Sequence, residues 1–293
     1  MDRLSDRSVI REVLQRHGFQ FSHALGQNFL VNPSVCPRMA QQCGADMETG
    51  VLEVGPGIGV LTKELGKVSR KVVAVELDRR LFPVLEETLA GQENIKVIEG
   101  DILKLDLKAL FASEFPGMRA VVCANLPYYI TSPVIMRLLE ERLPIDSITV
   151  MVQKEAAARL CAAPGERACG AVSAAVRYYA EPEILFSVSR GSFCPAPNVD
   201  SAVIRLAIRK TPPVQVVSEQ LFFRVVKAAF GQRRKTALNA VSAGLALAKE
   251  PVSKALAEAE IPAGARAEQL SLEQFAALAN ALAPAFRSQN GAV

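Results

Sequence analysis

The tetrapeptide Asn125-Leu126-Pro127-Tyr128 places an amide, an imino acid and an aromatic ring directly after an apolar run at residues 119–124. That run reads as a buried strand, so the four residues stand just past a strand end, where open α/β sheets bind ligands. Together they suit a flat base that carries an exocyclic amine. The Asn125 amide oxygen and the Leu126 carbonyl can accept from the amine, and Pro127 fixes φ and so aims that carbonyl. Tyr128 can stack on the ring. The plainer alternative is a strand-end turn, in which Asn and Pro are common.

A second constellation lies upstream. Gly55-Pro56-Gly57-Ile58-Gly59 follows an apolar run at 51–54 and opens a helical pattern. Glycines there let backbone approach a ligand closely. A dinucleotide fingerprint fails on spacing, because the third glycine comes one residue early and Val60 stands in its place. Gly55, Glu76, Asp101 and Asn125 each fall at or just after the end of a successive predicted strand, in steps of 21, 25 and 24 residues. Such positions converge on one crevice in a doubly wound sheet. Glu76 is placed to accept from both hydroxyls of a ribose, and Asp101 from an adenine amine. Either carboxylate alone could simply answer a helix dipole. That reading does not account for a series at four consecutive strand ends.

Other chemistry is poorly provided for. The two histidines, His17 and His23, both lie near the N-terminus, which leaves no base for Ser-His-Asp or Cys-His nucleophilic catalysis. The six cysteines form no Cys-x-x-Cys pair, so no metal site is expected and the thiols read as small, buried and reduced. A net charge of +4 permits a nucleic-acid partner without demanding one. No apolar run is long enough to span a bilayer, and residues 1–10 lack the apolar core of a signal peptide. A cytoplasmic protein is expected.

The elements that must position these residues alternate. Strands are expected at 51–54, 71–75, 95–98, 119–124, 147–152, 184–188 and 202–208, with helices at 60–68, 79–89, 133–140 and 153–161. This predicts an α/β fold: a doubly wound, mostly parallel sheet with helices on both faces. Only residues 190–201 separate the last two strands, too few for a helical crossover, so an antiparallel hairpin is expected there. An amphipathic helix over 3–17 carries Arg3, Arg7 and Arg11 on its outer face, open to RNA contact or to solvent alone. After Lys210-Thr211-Pro212-Pro213 the pattern is helical, at 219–230, 235–248, 252–259 and 271–283, with 214–217 as a last possible strand and 288–293 as a frayed tail. Two domains follow, 1–209 and 210–293. Arg224, Lys227, Arg233, Arg234 and Lys235 crowd around Gly231, with no acid between Glu219 and Glu250. A phosphate-tracking surface accounts for this one-signed block, with solubility as the alternative.

The motifs also carry a resemblance. Residues 51–59, Val-Leu-Glu-Val-Gly-Pro-Gly-Ile-Gly, are similar to the first motif of Rossmann-like S-adenosylmethionine-dependent methyltransferases. Asn125-Leu126-Pro127-Tyr128 resembles the signature of those that methylate exocyclic amines. With Leu25-Gly26-Gln27-Asn28-Phe29-Leu30, the chain resembles the ribosomal RNA adenine dimethylase family over about residues 10–240. Tyr129-Ile130-Thr131-Ser132-Pro133, Gln153-Lys154-Glu155, Phe193-Cys194-Pro195-Ala196-Pro197 and Ala229-Phe230-Gly231-Gln232-Arg233-Arg234-Lys235 resemble the bacterial small-subunit branch of that family. The resemblance implies dimethylation of the N6 amines of two adjacent adenosines in a 3′-terminal hairpin of 16S ribosomal RNA. The substrate would be the small subunit or its precursor, and the role ribosome biogenesis. The enzyme would act as a monomer with S-adenosylmethionine as cofactor. It implies cofactor contact by Asn28, Leu30, Gly55, Gly57, Glu76, Asp101 and Asn125, and a catalytic group of Asn125, Leu126, Tyr128 and Phe193, the last closing the far face of the adenine. Residues 210–293 would be the RNA-binding domain. The segment before Gly26, often basic in relatives, is here Ser22-His23-Ala24-Leu25, which argues against RNA contact at that spot. Three rival readings are a large-subunit adenine dimethylase conferring antibiotic resistance, a non-catalytic assembly or transcription factor, and a small-molecule N-methyltransferase. The last leaves the basic helical region without a purpose.

Overall fold

The computed structural model describes residues 4–19 and 28–290. Arg3, the Ser22-His23-Ala24-Leu25 segment, Gly26 and Gln27, and the last three residues of the expected tail lie outside the described residues. The chain forms two compact units, one of Met1–Ala157 with Glu181–Ile208 and one of Ala158–Ala180 with Arg209–Val293. The split therefore differs from 1–209 and 210–293, because residues 158–180 group with the later helices. Ala174 and Tyr178 supply the reason, since both are buried in the core of the second unit.

The first unit begins with α1 (Arg7–Arg16), shorter than the 3–17 expected because Asp6 caps it, accepting from the Ser8 N–H at 2.9 Å. Next come β1 (Phe29–Leu30), α2 (Val35–Gln42), β2 (Thr49–Val54), α3 (Val60–Val68) and β3 (Lys71–Glu76). A short 3-10 turn, Arg79–Leu81, leads into α4 (Phe82–Thr88). The single helix expected over 79–89 is divided there because Pro83, which has no N–H to donate, is confined to a first turn. The chain continues through β4 (Ile95–Glu99), α5 (Leu107–Glu114), β5 (Arg119–Asn125), α6 (Thr131–Glu140), β6 (Ser147–Gln153) and α7 (Lys154–Cys161). After α8 (Ala171–Tyr179) come β7 (Ala180–Val188), β8 (Phe193–Cys194) and β9 (Ser201–Ile208).

The large sheet has the order β4–β3–β2–β5–β6–β9–β7. The pairs β3–β4, β2–β3, β2–β5 and β5–β6 are parallel, and β6–β9 is antiparallel. Strands β7 and β9, the last two of this sheet in sequence, are neighbours in it, with β8 set apart between them in the chain. All of β2, and all but the end residues of β5, are buried, which is why they read as unbroken apolar runs. Strand β7 begins earlier than 184 and carries Pro182, which an edge strand tolerates. Successive strands move outward from β2 to β3 and β4 on one side, and the chain then returns to place β5 on the other. The carboxyl ends of β2 and β5 thus flank the switch point where such sheets bind ligands.

The second unit is helical: α8 joins α9 (Glu219–Phe230), α10 (Ala237–Leu245), α11 (Lys249–Glu258) and α12 (Leu272–Asn290). Residues 214–217 form no strand. Its core includes Phe222, Val225, Val226, Leu256, Phe275, Leu278 and Leu282. Gly244 is required where α10 meets α9, since a Cβ there would lie 2.5 Å from Ala228 Cβ and 2.8 Å from its Cα. Helix α12 runs through Pro284, where the sequence pattern breaks, and on to Asn290, so the tail expected from 288 begins inside a helix. All six cysteines are free thiols, and only Cys36, Cys43 and Cys123 are buried.

Candidate active site

Backbone shape comes first. The loop from β2 to α3 turns through Gly55 at φ 67°, Gly57 at φ 60° and Gly59 at φ 85°, a left-handed region that side chains disfavour. A Cβ on Gly57 would also press to 3.2 Å from the Phe29 ring. The loop therefore keeps bare backbone at the mouth of a cleft with about 1100 Å³ of empty space, open solvent included. That is room for a nucleoside-sized ligand and a base.

Every residue expected at the cofactor and catalytic positions lines this cleft: Asn28, Leu30, Gly55, Gly57, Glu76, Asp101, Asn125, Leu126, Tyr128 and Phe193. At the end of β3, Glu76 is 6% exposed. Its Oε1 accepts from the Asp78 N–H at 2.8 Å and its Oε2 from the Gly57 N–H at 3.3 Å. Burial nevertheless pushes its carboxyl above the usual range, the backbone donors pulling the other way. Just past β4, Asp101 accepts from the Leu103 N–H at 2.9 Å and lies 3.4 Å from Lys104 Nζ. Asn125 ends β5. Leu126 is buried and donates its N–H to the Met151 carbonyl at 3.3 Å, which ties the turn after β5 to the neighbouring strand β6. The Tyr128 hydroxyl lies 2.9 Å from Ser201 Oγ, so the ring is held from its far end. Burial raises that phenol and keeps it neutral.

One connection was invisible in the sequence. Strands β1 and β8 pair antiparallel, with Leu30 opposite Phe193 and Phe29 opposite Cys194. Two residues per strand are too few to leave a pattern, yet this pair ties the Asn28–Leu30 segment to the Phe193 loop on one side of the cleft. The Phe193 ring lines the cleft but is only 1% exposed, packed in a cluster with Leu30, Met39 and Val203.

Sequence reasoning also passed over several lining residues. Leu77 and Ile102 directly follow Glu76 and Asp101 and give the cleft apolar walls. Ser201, buried at the start of β9, does not line the cleft itself but holds the Tyr128 hydroxyl. Glu53, within β2, is 1% exposed and its Oε2 has no hydrogen-bond partner among the described residues. Burial pushes its carboxyl up to about 8. An acid inside the buried run Val51-Leu52-Glu53-Val54 was a legible signal. A sulfonium cofactor fits these residues: it would bring positive charge to a cleft holding an orphaned buried carboxylate oxygen, and flat, amine-bearing and hydroxyl-bearing parts to Leu77, Ile102, Asp101 and Glu76.

In the helical unit Arg224 and Lys227 lie on α9, and Arg233, Arg234 and Lys235 lie in the turn before α10, all five exposed. Arg233 donates to the Arg167 carbonyl at 2.6 Å, and the Arg224 guanidinium lies 4.4 Å over the Phe286 ring.

The family model described as ribosomal RNA adenine dimethylase matches residues 18–284. The chain belongs to the ribosomal RNA adenine dimethylase family. It is thus a methyltransferase whose methyl donor is S-adenosylmethionine. A ribosomal RNA small subunit methyltransferase A from Geobacillus sp. (strain WCH70) is 49% identical over 276 residues, 93% of this chain and 95% of that protein. Among solved structures, the 23S rRNA methyltransferase ErmE is 28% identical at a TM-score of 0.69, over 87% of this chain and 99% of its own. A dimethyladenosine transferase from Plasmodium falciparum shares the fold at a TM-score of 0.73 and 24% identity, over 85% of this chain and 95% of its own. The dimethylase reading of the cleft thus rests on a match that spans both the sheet and most of the helical unit. No helix among the described residues is long and apolar enough to cross a membrane.

Proposed function

We propose that this enzyme dimethylates the N6 amines of two adjacent adenosines in the 3′-terminal hairpin of 16S ribosomal RNA. It acts as a cytoplasmic monomer on the small subunit or its precursor during ribosome biogenesis. The observation that carries this is the placement of Asn125, Leu126 and Tyr128 in the same cleft as Gly55, Glu76 and Asp101. The small-subunit substrate is supported by 49% identity to a small-subunit enzyme against 28% to a 23S enzyme.

The bound cofactor supplies a methyl already activated on sulfur. The demand on the protein is the nucleophile, because the N6 lone pair is delocalised into the adenine ring. The Asn125 amide oxygen and the Leu126 carbonyl accept from the N6 hydrogens and favour a more tetrahedral nitrogen with a localised pair. Tyr128, anchored through Ser201, stacks on one face of the base, a contact worth about 1–3 kcal/mol. Phe193 forms wall on the opposite side. Catalysis is then positioning plus oriented dipoles, and the alkylated nitrogen can release its proton to water. The target base must be unpaired or extruded to enter. Arg224, Lys227, Arg233, Arg234 and Lys235 hold the RNA through its phosphates.

Incubation of the protein with unmethylated small subunits and labelled cofactor, followed by mapping of modified adenosines, tests this. Two adjacent dimethyladenosines near the 16S 3′ end are expected. A large-subunit site, or no modification, overturns it.

A further inference from the structure

The helical unit contains a groove that the basic turn does not include. It lies between the start of α9 and the end of α12, lined by Ser218, Gln220, Leu221 and Arg224 from one side and by Phe286 and Arg287 from the other. Its floor is apolar and its rim carries two guanidinium groups. Among the described residues neither arginine is paired with a carboxylate, whereas Arg16, Lys71, Arg119 and Arg137 around the sheet are. Arg224 is also pre-ordered, its guanidinium held 4.4 Å over the Phe286 ring.

The groove is continuous with the basic face already described. Residues 220, 224, 227 and 231 are all exposed and recur at helical spacing, so Gln220, Arg224 and Lys227 form one stripe along α9. The stripe begins at the groove and ends at the turn bearing Arg233, Arg234 and Lys235. Twelve residues of helix span about 18 Å, the length of several consecutive phosphates on one strand. Glu219, the one acid on α9, stands in the first turn, where it answers the helix dipole. Arginine forks grip phosphate oxygens in pairs. The Ser218 hydroxyl, which already accepts from the Leu221 N–H at 3.2 Å, keeps its own proton to donate.

We propose that the α9–α12 groove is an additional RNA phosphodiester subsite, with Arg287 and Arg224 as its gripping residues and Gln220 and Ser218 as neutral donors. This rests on the RNA-binding role given above to α9 and its turn, and it extends that track from the turn to the opposite end of the helix.

The test measures binding of the full chain to unmethylated small subunits over a range of salt concentrations. Four variants are compared with wild type: Arg287→Glu, Arg287→Gln, Arg233→Glu/Arg234→Glu, and Lys108→Glu on the exposed face of α5 as a charge control. Arg287→Glu is expected to weaken binding about tenfold at physiological salt and to lower the salt slope by about one. Arg287→Gln should give a smaller loss in the same direction, and the thermal transition of both should match wild type because Arg287 is exposed. If Arg287→Glu weakens binding no more than Lys108→Glu while the turn variant binds poorly, the groove is not a subsite and the basic turn stands. If neither the groove nor the turn variant is weakened, both readings fall.

Discussion

Replacing Glu53 by glutamine should make the cofactor-free protein more stable and its cofactor binding worse, and the first effect should depend on pH in a defined way. Glu53 is 1% exposed, one of its oxygens has no partner among the described residues, and burial raises its carboxyl from 4.5 to about 8, with the Thr62 hydroxyl pulling the other way and Glu76 adding to the rise. Between those two values the folded chain holds a proton that the unfolded chain has lost. The folded state thus binds more protons, and stability falls as pH rises across that window. Below 4.5 both states are protonated, and above 8 both are ionised, so the contribution is flat outside it. At pH 7 the window has been crossed for two and a half units, each worth about 1.36 kcal/mol, which comes to about 3 kcal/mol. Glutamine is nearly isosteric and has no proton to lose.

Thermal unfolding of the two proteins from pH 4.5 to 8 is the assay. The midpoint of Glu53→Gln should draw level with wild type at pH 4.5 and exceed it by about 6 °C or more at pH 7. A difference that does not change with pH would refute the reasoning, since it would mean that Glu53 is already ionised and compensated in the folded chain. The cofactor arm has the opposite sign. A cationic ligand favours the ionised carboxylate, so wild type should release close to one proton per cofactor bound at pH 6.5, read by calorimetry in buffers of different ionisation heat. Glu53→Gln should bind more weakly and release none.

Asn125→Ala should retain part of the cofactor affinity and lose most methyl transfer, and near-wild-type turnover on small subunits would sink the amine-acceptor role. Tyr128→Ala should reduce turnover by about ten- to a hundredfold through lost stacking. Ser201→Ala, which frees the Tyr128 hydroxyl, should cost about fivefold in kcat with KM for the cofactor unchanged, as expected for one hydrogen bond of about 1 kcal/mol. Gly244→Ala should destabilise the helical unit by about 3 kcal/mol, the upper end of overpacking costs, because Ala228 is backbone-deep against it; an unchanged melt would show that α10 and α9 can separate freely.

What could be read from residues alone follows a physical rule. The buried strands β2, β3, β5 and β6 announced themselves, because both faces are covered and most of their positions are apolar. The site residues Gly55, Glu76, Asp101 and Asn125, at or just past the ends of β2, β3, β4 and β5, were legible because strand-plus-helix units of similar length bring successive strand ends to regular steps along the chain. Helices α5 and α8 were not legible for opposite reasons. On α5 only Leu107, Phe111 and Glu114 are buried, too sparse a stripe to stand out, although Asp106 does cap it, accepting from the Ala109 N–H at 2.9 Å. On α8, Ala-Val-Ser-Ala-Ala-Val-Arg-Tyr-Tyr carries valines and tyrosines of strand character, and burial of Ala174, Val176 and Tyr178 overrides that preference. The β1–β8 pair and the Tyr128–Ser201 contact join residues more than seventy positions apart, and local pattern carries no information at that range. Glu53 is the instructive exception. Its signal is local and plain, a lone acid in a buried strand, standing beside glycines that already account for the loop. A buried carboxyl kept protonated costs the fold stability at neutral pH, and a cation bound in the cleft is what its ionised form would answer.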